Sequence, residues 1–272
     1  MCYNFFVGDI MKNKKIVFFD IDHTIYDPNK KIIPQSTLRA FEILSKRSDV
    51  ILAIATGRAA YMLNIIETLK PYIDTYITIN GQIVIHKGVI IHREPLSKET
   101  ICEVKQVFNR YNLIYGCIGE KMQAINQINK KVITMFEEAS MPLPKQDADF
   151  DETTTIYQMW AFCDEQTFEA VQNDLNPYQL VPWLTDGFDV VLRNRSKKDG
   201  IKKVLDYLDI PLDNAYAFGD GENDIEMLQY IPHSFAMGNA KEAIKKHATY
   251  TTNHYDEDGI YNALKSVGLI QE

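Results

Sequence analysis

Short, wholly apolar segments near the start of the chain alternate with segments whose apolar residues recur at helical spacing. The apolar segments are KIVFFD at 15–20, VILAIA at 50–55 and YITI at 76–79. Strands that are apolar on both faces are typical of a parallel sheet, because the crossover helices cover both of its faces. The same alternation resumes after residue 199 with AYAFGD and SFAMG. The sequence therefore predicts one α/β domain made from two separated stretches of chain.

The segments between these runs predict helices. Residues 36–47 carry apolar side chains at helical spacing, and Ser36 is of a type that often caps a helix N-terminus. A second helical pattern runs from Met62 to Leu69 and ends before Pro71. Further helices are expected at 199–208, 222–230, 240–247 and 258–267.

The middle of the chain has a different pattern. IVIHKGVII at 83–91 predicts a hairpin that turns at Lys87 and Gly88. A helix over 97–110, short strands and a second strand–helix pair follow. We interpret residues 83–189 as an α+β unit inserted into a domain formed by residues 1–82 and 190–272.

Composition and charge limit the classes of function. The chain has 272 residues, of which 46% are hydrophobic, and a formal net charge of −8. A nucleic-acid or membrane-surface protein would need a basic surface, so neither partner is expected. Nothing in the sequence indicates an obligate protein partner. The four cysteines are scattered, which is typical of reduced thiols and does not favour metal ligation by cysteine.

The N-terminal residues and the apolar runs bear on localisation. The longest apolar run, VILAIA at 50–55, has six residues, far fewer than the roughly 20 that a membrane helix needs. The first 13 residues lack the pattern of a signal peptide and are expected to be a short leader, with Met11 as a possible alternative start. The cytoplasm is therefore the expected compartment.

Polar side chains gather at four junctions where a predicted strand ends or a helix begins. In an open parallel sheet, functional groups collect beyond the carboxyl ends of the strands. The four junctions are DIDHT with Asp20, Asp22 and Thr24, ATGR with Thr56, Gly57 and Arg58, SKKDG with Lys197 and Lys198, and FGDGEND with Asp220, Asn223 and Asp224.

The aspartates at these junctions predict a metal site. Residues at i and i+2 of a strand share a face, so Asp20 and Asp22 would lie roughly 6.6 Å apart. Two carboxylates at that distance repel by about 2.5 kcal/mol at an effective dielectric constant near 20. With Asp220 and Asp224 nearby, the cluster requires a cation. Oxygen-only ligands favour a hard ion, and Mg²⁺ is the predicted cofactor.

The same residues suit the chemistry of phosphoryl transfer. One carboxylate can attack phosphorus, and a second can protonate the leaving alcohol and then activate water. The Thr56 hydroxyl, the backbone N–H at Gly57 and a lysine ammonium could stabilise the oxygens of the transferred group. The sequence therefore predicts an enzyme that acts on a phosphorylated compound.

Together the motifs D-x-D-x-T, T-G-R, a lysine and G-D-x-x-N-D, in this order, resemble those of the haloacid dehalogenase-like (HAD) superfamily. The insertion between the second and third motifs resembles the α/β cap of its Cof-like phosphatases. The resemblance covers the chain from about residue 14. It implies a Rossmann-like core, a cap that selects the substrate, and Mg²⁺-dependent hydrolysis of a small phosphorylated metabolite through an aspartyl-phosphate.

The resemblance also implies a role for each motif residue. Asp20 would be the nucleophile, and Asp22 the general acid/base whose backbone carbonyl also binds Mg²⁺. The metal site would be completed by Asp220 and, directly or through water, by Asp224. Thr56, Gly57, Lys197 and Asn223 would bind the phosphate, and Arg58 would contact the substrate.

Three alternatives stay open at this point. Lys198 could be the active-site lysine in place of Lys197. The enzyme could transfer the phosphoryl group to a sugar, as a phosphotransferase or mutase does, or the chain could be a non-catalytic regulatory relative.

One departure from the family pattern is His23, which stands where glycine is most common and could alter the turn after Asp22. The sequence does not identify the substrate.

Overall fold

The computed structural model describes residues 13–183, 186–193 and 195–271. The expected leader, with Cys2 and most of the segment to residue 13, lies outside the described residues. The chain divides into two compact units. Unit 1 contains Met1–Arg58, Leu63–Arg93 and Ser196–Glu272, and unit 2 contains Ala59–Met62 and Glu94–Arg195.

An eight-stranded sheet forms the centre of unit 1, with the strand order β14-β13-β12-β1-β2-β3-β4-β5. The strands from β14 to β3 are parallel, whereas β4 and β5 form an antiparallel hairpin at the edge. Their bounds are β1 Lys15–Phe19, β2 Val50–Ala55, β3 Thr75–Thr78, β4 Ile83–His86, β5 Val89–Arg93, β12 Ala215–Gly219, β13 His233–Ala236 and β14 Tyr250–Thr251.

Helices cover both faces of this sheet, as the apolar strands predict. Val17 and Phe19 of β1 pack into one core cluster, and Ile16 and Phe18 pack into another on the opposite face. Because side chains alternate along a strand, only a sheet buried on both sides needs apolar residues at every position. The helices of unit 1 are α1 Gln35–Ser45, α6 Lys197–Leu208, α7 Ile225–Tyr230, α8 Glu242–Lys245 and α9 Gly259–Ser266.

Two local predictions differ from the structure. Helix α1 begins at Gln35 with Pro34 as its N-cap, and no side chain caps it, so the prediction that Ser36 is the cap is wrong. The helical pattern after the TGR motif forms the 3₁₀ helix Ala60–Ile66, in which Leu63 has non-helical backbone angles. Apolar spacing identifies the buried face of a segment but does not distinguish an α-helix from a short 3₁₀ helix.

Unit 2 has a six-stranded sheet with the order β10-β11-β9-β6-β7-β8, antiparallel except for the β7–β8 pair. One face packs against helices through Val104, Phe108 and Val171. On the other face, the Trp160 ring lies against Phe136 and Phe162. Its elements are α2 Lys98–Arg110, β6 Ile114–Gly119, β7 Gln123–Ile125, α3 Lys130–Glu138, β8 Lys145–Gln146, α4 Phe150–Thr153, β9 Ile156–Phe162, α5 Glu165–Asp174, β10 Tyr178–Pro182 and β11 Gly187–Leu192.

The insertion was predicted to span residues 83–189, whereas the long segment of unit 2 is Glu94–Arg195. The hairpin of β4 and β5 pairs with β3 and therefore belongs to the sheet of unit 1. At the other end, β11 continues to Leu192 within the sheet of unit 2. No described helix has both the length and the apolar composition needed to cross a bilayer.

Candidate active site

A buried lysine joins two carboxylates at the carboxyl ends of β1 and β12. Lys197 Nζ lies 2.5 Å from Asp20 Oδ1 and 2.6 Å from Asp224 Oδ1. The lysine is 0% exposed and Asp20 is 6% exposed. Lys197 is the first residue of α6, whose N-terminus is closed by reciprocal hydrogen bonds between Ser196 and Asp199. The structure thus brings Lys197 to the aspartates, while Lys198 is a partly exposed residue of the same helix.

Three carboxylates converge at this point. Asp20, Asp220 and Asp224 each offer an oxygen, and these oxygens lie within 4.8 Å of one another. Asp20 follows β1 and Asp220 follows β12, and these strands are adjacent and parallel in the sheet. The side chain of Asp220 accepts hydrogen bonds from Thr24 Oγ1 at 3.2 Å and from Asn239 Nδ2 at 3.1 Å. The parallel pairing therefore brings together acidic residues that are about 200 positions apart in the sequence.

Backbone amides hold Asp224 in place. Its Oδ2 accepts hydrogen bonds from the backbone N–H groups of Asp220 and Gly221, both at 2.9 Å, while its Oδ1 binds Lys197. Both oxygens of Asp224 are thus engaged by the protein. Asp220, by contrast, accepts its hydrogen bonds from the neutral side chains of Thr24 and Asn239. Its negative charge is therefore less compensated than that of Asp224.

The electrostatics of the cluster are those of a cation site. Burial raises the pKa of Asp20 to about 7, although Lys197 acts in the opposite direction. Burial and the neighbouring Asp20 and Asp224 raise the pKa of Asp220 well above its ordinary value. Burial alone would lower the pKa of Lys197, but the two carboxylates raise it. One lysine therefore does not neutralise three carboxylates, and a bound cation would relieve the repulsion.

The donor set fits a hard divalent ion. The ligand atoms available in the cluster are carboxylate oxygens, and such ligands suit Mg²⁺ or Ca²⁺ better than softer metals. Asp220 is better placed than Asp224 to hold an ion beside Asp20, because its hydrogen bonds come from the neutral side chains of Thr24 and Asn239. Asp224 already binds the ammonium of Lys197. The carboxylate of Asp22 is not part of this cluster.

Asp22 is instead bound by Arg58. Arg58 Nε donates to Asp22 Oδ2 and Arg58 Nη2 donates to Asp22 Oδ1, both at 2.8 Å. Although burial would raise it, the guanidinium lowers the pKa of Asp22 below its ordinary value. Arg58, which the sequence predicted to contact the substrate, contacts Asp22 in the structure. The side chain of Asp22 is therefore held as a carboxylate.

His23 adopts a conformation that explains the preference for glycine at this position. Its φ is 57°, in the left-handed region that is unfavourable for residues with a Cβ atom. Its backbone N–H donates to Tyr26 O at 3.0 Å, and its carbonyl accepts from Asn239 Nδ2 at 2.9 Å. The turn after Asp22 is therefore formed despite the larger side chain, and Asp22 pairs with Arg58.

The predicted phosphate-binding residues Gly57 and Asn223 lie beside Asn80, which follows β3. The Thr56 side chain accepts a hydrogen bond from the backbone N–H of Arg58 at 3.1 Å. Asn223 Nδ2 donates to Asn80 Oδ1 at 3.1 Å. The Asn80 amide also lies 3.3 Å from the position that a Cβ atom on Gly57 would occupy. The fold therefore brings Gly57, Asn80 and Asn223 together.

Two residues of this site were not identified from the sequence. Asn80 follows β3 and contacts Asn223, and Asn239 follows β13 and contacts Asp220. Each is an asparagine that comes shortly after a predicted parallel strand, at the edge of the sheet where the other motifs lie. That position was the available signal, but a single asparagine near a glycine is also an ordinary turn signal.

Comparisons with known proteins agree with this geometry. The sequence pattern of the haloacid dehalogenase-like hydrolase family matches residues 17–264. A Bacillus subtilis (strain 168) protein named Putative phosphatase YkrA is 33% identical over 261 residues, which cover 95% of this chain and 100% of that protein.

Solved structures show the same fold. A protein of Geobacillus kaustophilus HTA426 superimposes with a TM-score of 0.84 and 33% identity, covering 94% of this chain and all of the other. The HAD subclass IIB sugar phosphatase BT4131 gives a TM-score of 0.86 with 29% identity, covering 94% of this chain and 100% of that chain. This chain therefore belongs to the haloacid dehalogenase-like hydrolases and is a phosphatase-type enzyme of their Cof-like branch.

Proposed function

We propose that the protein is a Mg²⁺-dependent phosphatase that hydrolyses a small phosphorylated metabolite through an aspartyl-phosphate on Asp20. The observation that supports this most is the position of Asp20, which is bound to a buried lysine and lies beside two further carboxylates. A binding protein would not need a carboxylate placed between an ammonium group and a cation site. Unit 1 would be the catalytic core, and unit 2 the cap that selects the organic part of the substrate.

In the first step, Asp20 attacks phosphorus. Lys197 binds Oδ1 of Asp20, so Oδ2 is the atom that we propose forms the new bond to phosphorus. The bond between phosphorus and the ester oxygen breaks, and the leaving alcohol takes a proton from Asp22. Lys197, Thr56, Asn223 and the backbone N–H at Gly57 would stabilise the oxygens of the transferred group.

In the second step, Asp22 accepts a proton from water as the water attacks phosphorus. The acyl-phosphate bond breaks, inorganic phosphate leaves, and Asp20 is restored as a carboxylate. Asp22 must carry a proton in the first step, whereas Arg58 favours its ionised form. The pair between Arg58 and Asp22 would therefore have to open when the substrate binds.

The metal would be held by Asp20 and Asp220, with the backbone carbonyl of Asp22 and, directly or through water, Asp224. When bound, Mg²⁺ supplies positive charge that lowers the pKa of Asp20 and offsets the charge of the phosphoryl oxygens.

Because the similar protein BT4131 is a sugar phosphatase, we propose sugar phosphates as the first class of substrate to test. The cytoplasm is the proposed compartment.

Release of inorganic phosphate from a panel of sugar phosphates, polyol phosphates and nucleotides, with and without Mg²⁺, tests this function. Wild-type protein should release phosphate only when Mg²⁺ is present, and Asp20→Asn should not. Asp74→Asn changes an exposed aspartate of unit 1 and serves as the matched control. Activity retained in Asp20→Asn would refute the nucleophile, and isomerised product without free phosphate would indicate a mutase.

A further inference from the structure

The turn Ile79–Gly81 has a backbone conformation that sequence alone does not favour. Ile79 and Asn80 both have φ of 52°, and Gly81 has φ of 97°. A β-branched residue in the left-handed region is rare, because its Cβ atom crowds the backbone. Strain of this kind persists only where surrounding contacts impose it. The turn therefore has contacts that hold it in this form.

Those contacts reach three parts of the candidate site. The backbone N–H of Asn80 donates to Thr56 O at 3.0 Å, and that of Ile79 donates to Arg58 O at 3.1 Å. The Asn80 side chain accepts from Asn223. A Cβ atom on Gly81 would lie only 2.3 Å from the carbonyl oxygen of Ser196, the residue that precedes Lys197. The turn thus touches residues 56–58, Asn223 and the start of α6.

Asn80 is the residue of this turn whose side chain contacts the predicted phosphate-binding residues. It is 2% exposed, and its amide lies against both Gly57 and Asn223. An amide nitrogen has two hydrogens, so the hydrogen that Asn223 donates to Asn80 fixes the plane of the Asn223 amide and leaves its other hydrogen available. Asparagine is also among the few residue types that tolerate the left-handed region.

We propose that Asn80 is a positioning residue for the phosphatase reaction. It acts through Asn223 and through the backbone of residues 56–58, and it holds these two phosphate-binding segments at a fixed separation. Asn80 makes no contact with the reacting atoms in this assignment. The expected effect of Asn80 on turnover rests on the proposed function. Its expected effect on the structure of the protein without substrate does not.

Asn80→Gly removes the side chain and keeps the left-handed backbone accessible. The matched control is Asn112→Gly, because Asn112 has the same φ of 52° and lies in an exposed turn of unit 2. Loss of one positioning hydrogen bond should lower kcat/KM for p-nitrophenyl phosphate about tenfold in Asn80→Gly. Asn112→Gly should retain the wild-type value.

A double-mutant cycle with Asn223→Ala tests whether Asn80 acts through Asn223. If it does, the double variant should lose about as much activity as Asn223→Ala alone, because the second change removes a contact that no longer matters. Independent losses that multiply, or wild-type activity in Asn80→Gly, would overturn the proposal. Circular dichroism and the melting temperature report whether each variant is folded.

Amide hydrogen exchange of the ligand-free protein gives a readout that does not need activity. In Asn80→Gly, peptides covering residues 52–60 and 219–228 should exchange faster than in wild type, while peptides covering 98–112 should not change. Unchanged exchange in the first two peptides would overturn the positioning role whatever the activity. An inactive wild type with the expected exchange would instead refute the proposed function and leave the structural role of Asn80 supported.

Discussion

Arg58 and Asp22 form a two-point ion pair, in which Nε and Nη2 of the guanidinium each donate to a different carboxylate oxygen at 2.8 Å. This geometry is specific to arginine, because its planar fork matches both oxygens at once. The pair connects the DxDxT and TGR motifs, and it lowers the pKa of the residue that is expected to deliver a proton.

Removing the guanidinium should shift the ionisation of Asp22 to higher pH. Burial raises the pKa of Asp22 and Arg58 gives the largest opposing effect, so in Arg58→Gln only the smaller lowering effects of His23 and Lys197 oppose burial. We expect the pH dependence of kcat/KM to change, with the ionisation of Asp22 occurring at higher pH than in wild type. Kinetics from pH 4 to 9 measure this shift. Superimposable profiles would show that the ion pair does not set the charge of Asp22.

Lys197 should contribute to stability as well as to activity. In Lys197→Met, two buried carboxylates lose their cation, and breaking a buried pair in this way costs about 3–5 kcal/mol. Lys198→Met is the matched control on the same helix, where a surface change should stay within about 0.5 kcal/mol. Urea unfolding without metal gives both values. Equal effects of the two changes would show that the ion pairs of Lys197 do not stabilise the folded protein.

The sequence was informative wherever a functional residue lies at the end of a predicted parallel strand. Asp20 and Asp220 were assigned to one site because parallel strands end at the same edge, and the pairing of β1 with β12 has this geometry. Side-chain contacts that depend on tertiary packing could not be predicted from the sequence in the same way. The contact of Arg58 with Asp22 and that of Asn80 with Asn223 depend on side-chain directions, which local patterns do not specify.

The hairpin at residues 83–91 illustrates the same limit. The segment, with its turn at Lys87 and Gly88, predicted a hairpin, and its two strands are present as β4 and β5. Such a local pattern, however, does not identify the neighbouring strand. The hairpin was assigned to the insertion, whereas it extends the sheet of unit 1 by pairing with β3.

Metal binding should stabilise the protein through Asp220. A ligand that binds only the folded state at a concentration 100 times its dissociation constant adds about 2.7 kcal/mol. We expect millimolar Mg²⁺ to raise the melting temperature of wild type and of the control Asp74→Asn, but not that of Asp220→Asn. Differential scanning fluorimetry with and without EDTA measures the shift. A full Mg²⁺ response in Asp220→Asn would exclude this residue as a ligand.

Asp189 of unit 2 should make stability depend on pH. It lies opposite Trp160 in the β9–β11 pair, and burial raises its pKa from 3.8 to about 7 despite hydrogen bonds from Trp183 and Gln158. The folded state therefore binds more protons than the unfolded state between these values. The stabilisation is complete below pH 3.8 and is lost as the pH rises through about 7.

Asp189→Asn should remove this pH dependence, since an amide carries no charge at any pH in this range. The variant should melt at a higher temperature than wild type at pH 8, and the difference should narrow at pH 5. A constant difference between wild type and Asp189→Asn across the range would contradict the raised pKa.

Gly81 and Gly88 form a matched pair that separates backbone strain from crowding. Both have positive φ, at 97° and 75°, so alanine at either position meets the same conformational penalty of roughly 1–2 kcal/mol. At Gly88 no atom lies within 4 Å of an added Cβ, whereas at Gly81 that atom would lie 2.3 Å from Ser196 O. Gly81→Ala should therefore destabilise unit 1 more than Gly88→Ala and displace the start of α6, which carries Lys197. Urea unfolding and kcat measure the two effects. Equal stability losses, with turnover unchanged in both variants, would show that the turn does not support the lysine.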